Sequence, residues 1–162
     1  MIRLSAALLL LVLATPVTAA EPFTVGARLE PLVMADQHGA EIRVGEDTRI
    51  LLFARDMAGG DLVEEALGDD GAAVLGAASA VFVSDISRMP GIITRIFALP
   101  AMRRRPYRMA LDFEGDATAS FPHREDHVTV VRLSTMKVDG IEFVASAAEV
   151  RTKLVAAAPT GK

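Results

Sequence analysis

The chain has 162 residues, a formal net charge of −4 and no cysteine. That length suits one domain with a sizeable core, and the acidic balance argues against general nucleic-acid binding. The missing thiol removes dithiol chemistry, thiolate zinc sites and haem attachment through thioethers.

Residues 1–20 read as a secretory signal. Arg3 gives the positive start, Leu8 to Leu13 the apolar run, and Val17-Thr18-Ala19-Ala20 the small residues for cleavage. The run is shorter than the roughly 20 residues a membrane span needs. Cleavage after Ala19 or Ala20 leaves a single exported domain, 21–162, in the periplasm or outside the cell. Loss of Arg3 takes its charge from −4 to −5. A retained anchor is the alternative.

Residues 24–34 alternate loosely and stop at the turn signal Asp36-Gln37-His38-Gly39. Glu41 to Val44 pairs back as a hairpin. Residues 49–54, apolar from Ile50 onward, predict a strand buried on both faces. Asp61 is predicted to open and cap a helix, with Glu64 at capping-box spacing and Leu62, Val63, Ala66 and Leu67 as its stripe. Gly68-Asp69-Asp70-Gly71 interrupts it, and Ala72 to Ala78 resumes as a turn or two.

Ala80 to Val83 is another buried strand. Gly91 to Leu99 is a helix bounded by Pro90 and Pro100, with Ile92, Ile93, Ile96 and Phe97 on one side. Tyr107 to Leu111 reads as a strand, Gly115 to Phe121 as a turn with a short helix, and Val128 to Leu133 as a strand. Asp139-Gly140 signals a hairpin returning through Ile141 to Val144. Ser146 caps a last helix to about Val155, with Glu149 at capping-box spacing. The alternation predicts an α/β sandwich with a mixed sheet.

This order resembles the thioredoxin-like superfamily in its peroxiredoxin-like branch, the alkyl hydroperoxide reductase and thiol-specific antioxidant group. VGARLEPLVMADQHGAEIRV is similar to that branch's N-terminal hairpin. RILLFARDMAGGDLVEEAL is similar to its first core strand, active-site loop and first helix, and AVFVSD to its second core strand. LDFEGDATASF resembles the segment before the closing hairpin. VTVVRLSTMKVDGIEFVASAAEVRTKL resembles that hairpin and the final helix. The resemblance implies a three-layer α/β sandwich with an N-terminal β-hairpin and a strand-helix insertion. It also locates two departures. The family's reactive cysteine belongs at the start of the first helix, where this chain has Asp56 to Asp61. Many members place a cis-proline before the third core strand, where this chain has Arg124-Glu125-Asp126-His127-Val128. The family's redox activity therefore transfers to no residue here, and no catalytic residue is assigned.

Two segments are candidate binding surfaces. The loop Asp56, Met57, Gly59, Gly60, Asp61 has the free amides of a helix start, although its two aspartates oppose an anion, and a glycine-permitted turn before a self-capped helix is the plainer alternative. The second is MRRRPYR, residues 102–108, where Arg103, Arg104, Arg105 and Arg108 surround Pro106 and Tyr107. Between Asp85 and Asp112 the chain has six arginines and no acid. Such density suits an acidic protein, anionic lipid headgroups or a phosphorylated ligand; a solvated basic turn is the plainer alternative.

Other chemistry finds less support. His123 and His127, with Met57, Met89, Met102 and Met109, suggest a soft-metal carrier, but scattered methionines beside apolar residues more simply pack a core. No metal site is assigned. Asp112, Glu114 and Asp116 lack the remaining ligands of a calcium loop. There is no GxGxxG, phosphate-loop lysine or GxSxG, so no cofactor is expected. The sequence reads as an exported, redox-inactive binding or accessory module. The alternative is a non-cysteine enzyme or a Met/His copper carrier on the same scaffold.

Overall fold

The computed structural model describes residues 20–158. The predicted signal, apart from Ala20, lies outside them. Seven strands form one mixed sheet in the order β2-β1-β5-β4-β3-β6-β7. They are β1 (Leu32–Asp36), β2 (Glu41–Val44), β3 (Ile50–Ala54), β4 (Ala80–Asp85), β5 (Ala110–Asp112), β6 (Val128–Ser134) and β7 (Lys137–Val144). β3, β4 and β5 run parallel, and the remaining pairs are antiparallel. No helix among the described residues is long and apolar enough to cross a membrane.

All five residues of β3 are buried, as the unbroken apolar run predicts. Their alternation divides the core. Ile50, Leu52 and Ala54 face a layer built from α1 (Met57–Leu67), α2 (Gly71–Ala77) and α5 (Ala147–Ala157). Leu51 and Phe53 face the other side, with Val83, Val131 and Met136. Irregular chain covers that side: Phe23, Ala27 and Leu29 from the N-terminal segment, and Phe121. Phe121 meets Phe23 and Phe53 edge-on, at 5.3 and 5.0 Å between ring centres.

Several predicted boundaries move, each for a physical reason. α1 begins at Met57 and is capped by Asp56, whose Oδ1 accepts from the Gly59 amide at 2.7 Å. Asp61 lies inside the helix and is exposed. β5 starts at Ala110 rather than Tyr107. The buried Gln37 side chain replaces the missing ladder, donating to the Tyr107 carbonyl at 2.7 Å and accepting from the Met109 amide at 3.1 Å. The β6–β7 turn lies at Thr135 and Met136, both with positive φ. Asp139-Gly140 instead falls within β7, at a bulge. Residues 115–121 contain turns but no helix. The Asp112 carboxylate organises them, accepting from the amides of Gly115 and Thr118 and the Thr118 hydroxyl, each at 2.8 Å.

The helix predicted to stop at Pro100 runs through it: α3 (Gly91–Ile93), a π segment (Thr94–Ala98) and α4 (Leu99–Met102) follow without a break. Proline lacks an amide and crowds the carbonyl four residues back. The chain widens locally, and the Leu99 amide reaches the Thr94 carbonyl five residues back. The predicted apolar side faces outward, with Ile92, Ile93, Ile96 and Phe97 all exposed.

Candidate functional site

β3 and β4 are neighbouring parallel strands, and both deliver chain to one end of the sheet. Ligands of open α/β folds bind beyond the carboxyl ends of such strands. Here β3 leads into Arg55 and α1, while β4 ends at Asp85 and leads towards α3. Between these segments lies a cleft of about 490 Å³. Arg55, Asp56, Met57, Gly60 and Asp61 line one wall. Ser84, Asp85, Ile86, Arg88, Met89, Pro90 and Ile93 line the other, while Phe82, Met102 and Arg105 complete it. That volume falls in the small-ligand range, and an apolar lining with few convergent polar groups is the usual make-up of a binding site.

Asp56 joins two segments. Besides capping α1, it accepts from the Asp126 amide at 3.0 Å through Oδ2. Each carboxylate oxygen thus accepts one backbone amide, which gives Asp56 a structural role at the junction. Gly59 completes the junction. A Cβ there would sit 2.8 Å from the His127 carbonyl oxygen, so only glycine lets residues 124–127 approach the helix start. Gly60 has open space where its Cβ would be. The loop considered from sequence is the first turn of a helix, with the Gly59 amide bound by the Asp56 side chain and the Gly60 amide by its carbonyl.

Arg55, half-buried, and the buried Asp85 form a polar pair of the cleft. Their Nε and Oδ2 atoms approach to 3.1 Å, and the Asp85 side chain is fully buried. The contact is electrostatic only, because neither atom makes a hydrogen bond in this geometry. Asp85 Oδ1 accepts from the Ser87 amide at 2.9 Å and from its hydroxyl at 2.6 Å. Arg55 Nη1 lies 3.1 Å from His123 Nδ1. The sequence reading missed both Arg55 and Asp85. The available signal was their position, since each directly follows or ends a strand of buried type.

The arginine cluster lies at the end of α4. Arg103 donates to the Gln37 carbonyl at 2.8 Å. Arg105 pairs with Glu64, and its other terminal nitrogen lies 3.8 Å from Met109 Sδ. Arg108 binds Asp36 and the Glu41 carbonyl, each at 2.6 Å. Burial alone would raise the Asp36 pKa, but Arg108 and the amides of Ala40 and His38 outweigh it and hold the carboxyl below its ordinary value. Arg104 makes no side-chain hydrogen bond among the described residues. Arg105 lines the cleft, whereas Arg103, Arg104 and Arg108 do not. Next to Arg105 the Tyr107 hydroxyl is buried without a partner. Burial raises its pKa, with Glu64 adding to the shift and Arg105 opposing it.

The histidines and methionines divide. His123 contacts Arg55, while His127 Nδ1 lies 2.7 Å from the Glu125 carbonyl. Met34, Met109 and Met136 are buried. Met57, Met89 and Met102 line the cleft. No group of three or more His, Asp or Glu able to hold a metal occurs among the described residues.

The sheet order and this helix-capped junction define a thioredoxin-like fold. Solved structures with the same fold include peroxidoxin BcpB of Mycobacterium tuberculosis, 19% identical with a TM-score of 0.54, covering 82% of this chain and 94% of that one. A peroxiredoxin-like protein from Aquifex aeolicus is 14% identical with a TM-score of 0.54, covering 86% and 90%. The thioredoxin domain of a thiol-disulfide oxidoreductase from Bacteroides vulgatus is 11% identical with a TM-score of 0.50, covering 82% and 99%. No protein-family model and no curated protein matches the chain. The chain thus has a thioredoxin-like fold and no cysteine, a fold similar to those of peroxiredoxin-like and thiol-disulfide proteins.

Proposed function

We propose that this chain is an exported, redox-inactive binding module of the periplasm or extracellular space, and that it binds apolar ligands or segments in the cleft beside α1. The supporting observation is the helix start. Where the resemblance places a thiolate, Asp56 is committed to capping and Met57 offers a thioether, which cannot ionise. The cleft remains, with apolar walls and the Arg55–Asp85 pair to orient a polar group.

Two assays test this. Peroxide consumption and insulin disulfide reduction should stay at buffer rates, and turnover in either would overturn the redox-inactive reading. The dye anilinonaphthalene sulfonate should fluoresce on binding the native protein, and Met57→Glu should reduce that signal by its cleft-bound part. An equal signal from the variant would reject the cleft.

Convergence of Met57, Met89 and Met102 supports a second reading, carriage of a soft metal such as Cu(I), which accepts thioether ligands. Competition with a Cu(I) chelator tests it, and failure to compete ends it. The arginine cluster remains a proposed contact for an acidic partner or anionic lipid, with Arg104 as its side chain not used within the described fold. Arg104→Glu should weaken such binding more than Arg108→Lys, which retains a cation opposite Asp36.

A further inference from the structure

Residues 91–97 present their apolar side chains to water and bury a polar one. Exposure is 68% at Ile92, 41% at Ile93, 56% at Ile96 and 64% at Phe97, whereas Thr94 is 5% exposed. The Thr94 hydroxyl is 3.3 Å from the Pro90 carbonyl and 3.5 Å from that of Met89, so its inward position has local partners. Leu99 and Met102 pack against the core and hold the far end down. Met57, 73% exposed, lies across the cleft that Ile93 lines. Single exposed apolar residues are ordinary, but a contiguous group of large ones marks an interaction surface.

Within its own segment the charge has one sign, and the carboxylates of Asp56, Asp61 and Asp85 lie in the cleft that Ile93 alone of residues 91–97 lines. From Ile86 to Leu111 there are six arginines and no carboxylate. Arg105 and Arg108 pair with Glu64 and Asp36, and Arg103 is directed to the Gln37 carbonyl. Arg88, Arg95 and Arg104 have no ion pair or side-chain hydrogen bond among the described residues. Arg95 lies on the helix itself, between Ile92 and Ile96 in sequence. Large apolar side chains with arginines at their flank are the composition of helices that lie in the boundary of an anionic bilayer.

We propose that the 91–102 helix docks this module on an anionic lipid surface. Ile92, Ile96 and Phe97 enter the boundary between headgroups and acyl chains, while Arg88, Arg95 and Arg104 meet lipid phosphates. The proposal takes Arg104 over from the arginine-cluster reading, and it is independent of the redox-inactive reading because no residue of the α1 start enters the bilayer. An acidic protein would satisfy the arginines but leave four protruding apolar side chains in need of a groove; a bilayer accommodates both.

The chain has no tryptophan, so Phe97→Trp supplies a single reporter on the helix. Its emission should shift to shorter wavelength with vesicles of phosphatidylcholine containing phosphatidylglycerol. The shift should fall with pure phosphatidylcholine and with high salt. In the same background, Ile92→Ser with Ile96→Ser should abolish it. Replacement of Arg88, Arg95 and Arg104 by Glu should weaken partitioning by at least about tenfold. All these sites are exposed, and an unchanged melting curve will show that each variant folds. An unmoved emission spectrum would overturn the proposal, as would an equal shift with neutral and anionic vesicles. A lipid-free spectrum that shifts with protein concentration would assign the face to self-association instead, and binding only to an acidic polypeptide would assign it to a protein partner.

Discussion

The two glycines of the α1 start look alike in sequence but have opposite consequences. Gly59 faces the His127 carbonyl at a distance no Cβ tolerates, and that neighbour is backbone, which cannot swing away. Gly60 faces open space on the cleft side. Gly60→Ala should therefore stabilise the fold by about 0.5–1 kcal/mol, the ordinary gain of alanine over glycine inside a helix. Gly59→Ala should destabilise it by about 1–3 kcal/mol, the cost of a forced backbone shift. Urea denaturation of both variants checks the pair, and equal effects would contradict the close approach. Asp56→Ala should cost about 1–2 kcal/mol in the same measurement through the lost cap alone, and more if the Asp126 amide finds no other acceptor.

At the scale of elements, legibility followed locality. β3, β4 and β6 announce themselves through buried apolar runs. α5 does so through Ser146, which accepts from the Glu149 amide at 3.3 Å as its spacing predicts. The start of α1 was misplaced because Asp56 and Asp61 both look like caps, and the choice depends on a loop 70 residues away. The closing hairpin was misplaced for a related reason. Asp-Gly is the stronger turn signal, yet Met136 tolerates a φ of +68° at the true turn. Its side chain is 1% exposed, in the core facing β3. Met136→Ala should therefore cost about 2–5 kcal/mol. Gly140→Ala should cost under about 1 kcal/mol. The nearest atoms to a Cβ there belong to the Arg132 guanidinium, from 2.5 Å, and that half-exposed group can move. Thermal melts of the two variants would separate a turn held by its buried methionine from one held by its glycine. The candidate site was half legible. Residues 56–61 and the cluster containing Arg105 were flagged, but Arg55 and Asp85 acquire meaning only when β3 and β4 place them side by side.

Across the whole molecule, three of the ion pairs join separate elements and shift the titration of the carboxyl they contain. Arg108–Asp36 ties the segment before β5 to the end of β1, Arg151–Asp70 ties α5 to the turn before α2, and Lys153–Glu142 ties α5 to β7. All three carboxyls are held below their ordinary values. For Asp70 the main cause is the hydrogen bond from Arg151, and for Glu142 that from Lys153. At Asp36, Arg108 and two backbone amides overcome the opposing effect of burial. A carboxyl whose pKa is lower in the folded state contributes stability above its unfolded pKa and loses it as pH falls through the folded value. The ordinary values are 3.8 for Asp and 4.5 for Glu, so the loss should begin near those values and deepen below them. The melting temperature should thus be flat towards neutrality and fall steeply in that acidic window. Asp36 is the most informative of the three because its side chain is only 2% exposed and its ties fix both the first hairpin turn and Arg108. Asp36→Asn should lower the melting temperature at neutral pH and flatten the acid limb, since one fewer group remains to be protonated. A variant curve parallel to the parent through the whole acid range would show that the Arg108–Asp36 pair does not contribute to acid sensitivity.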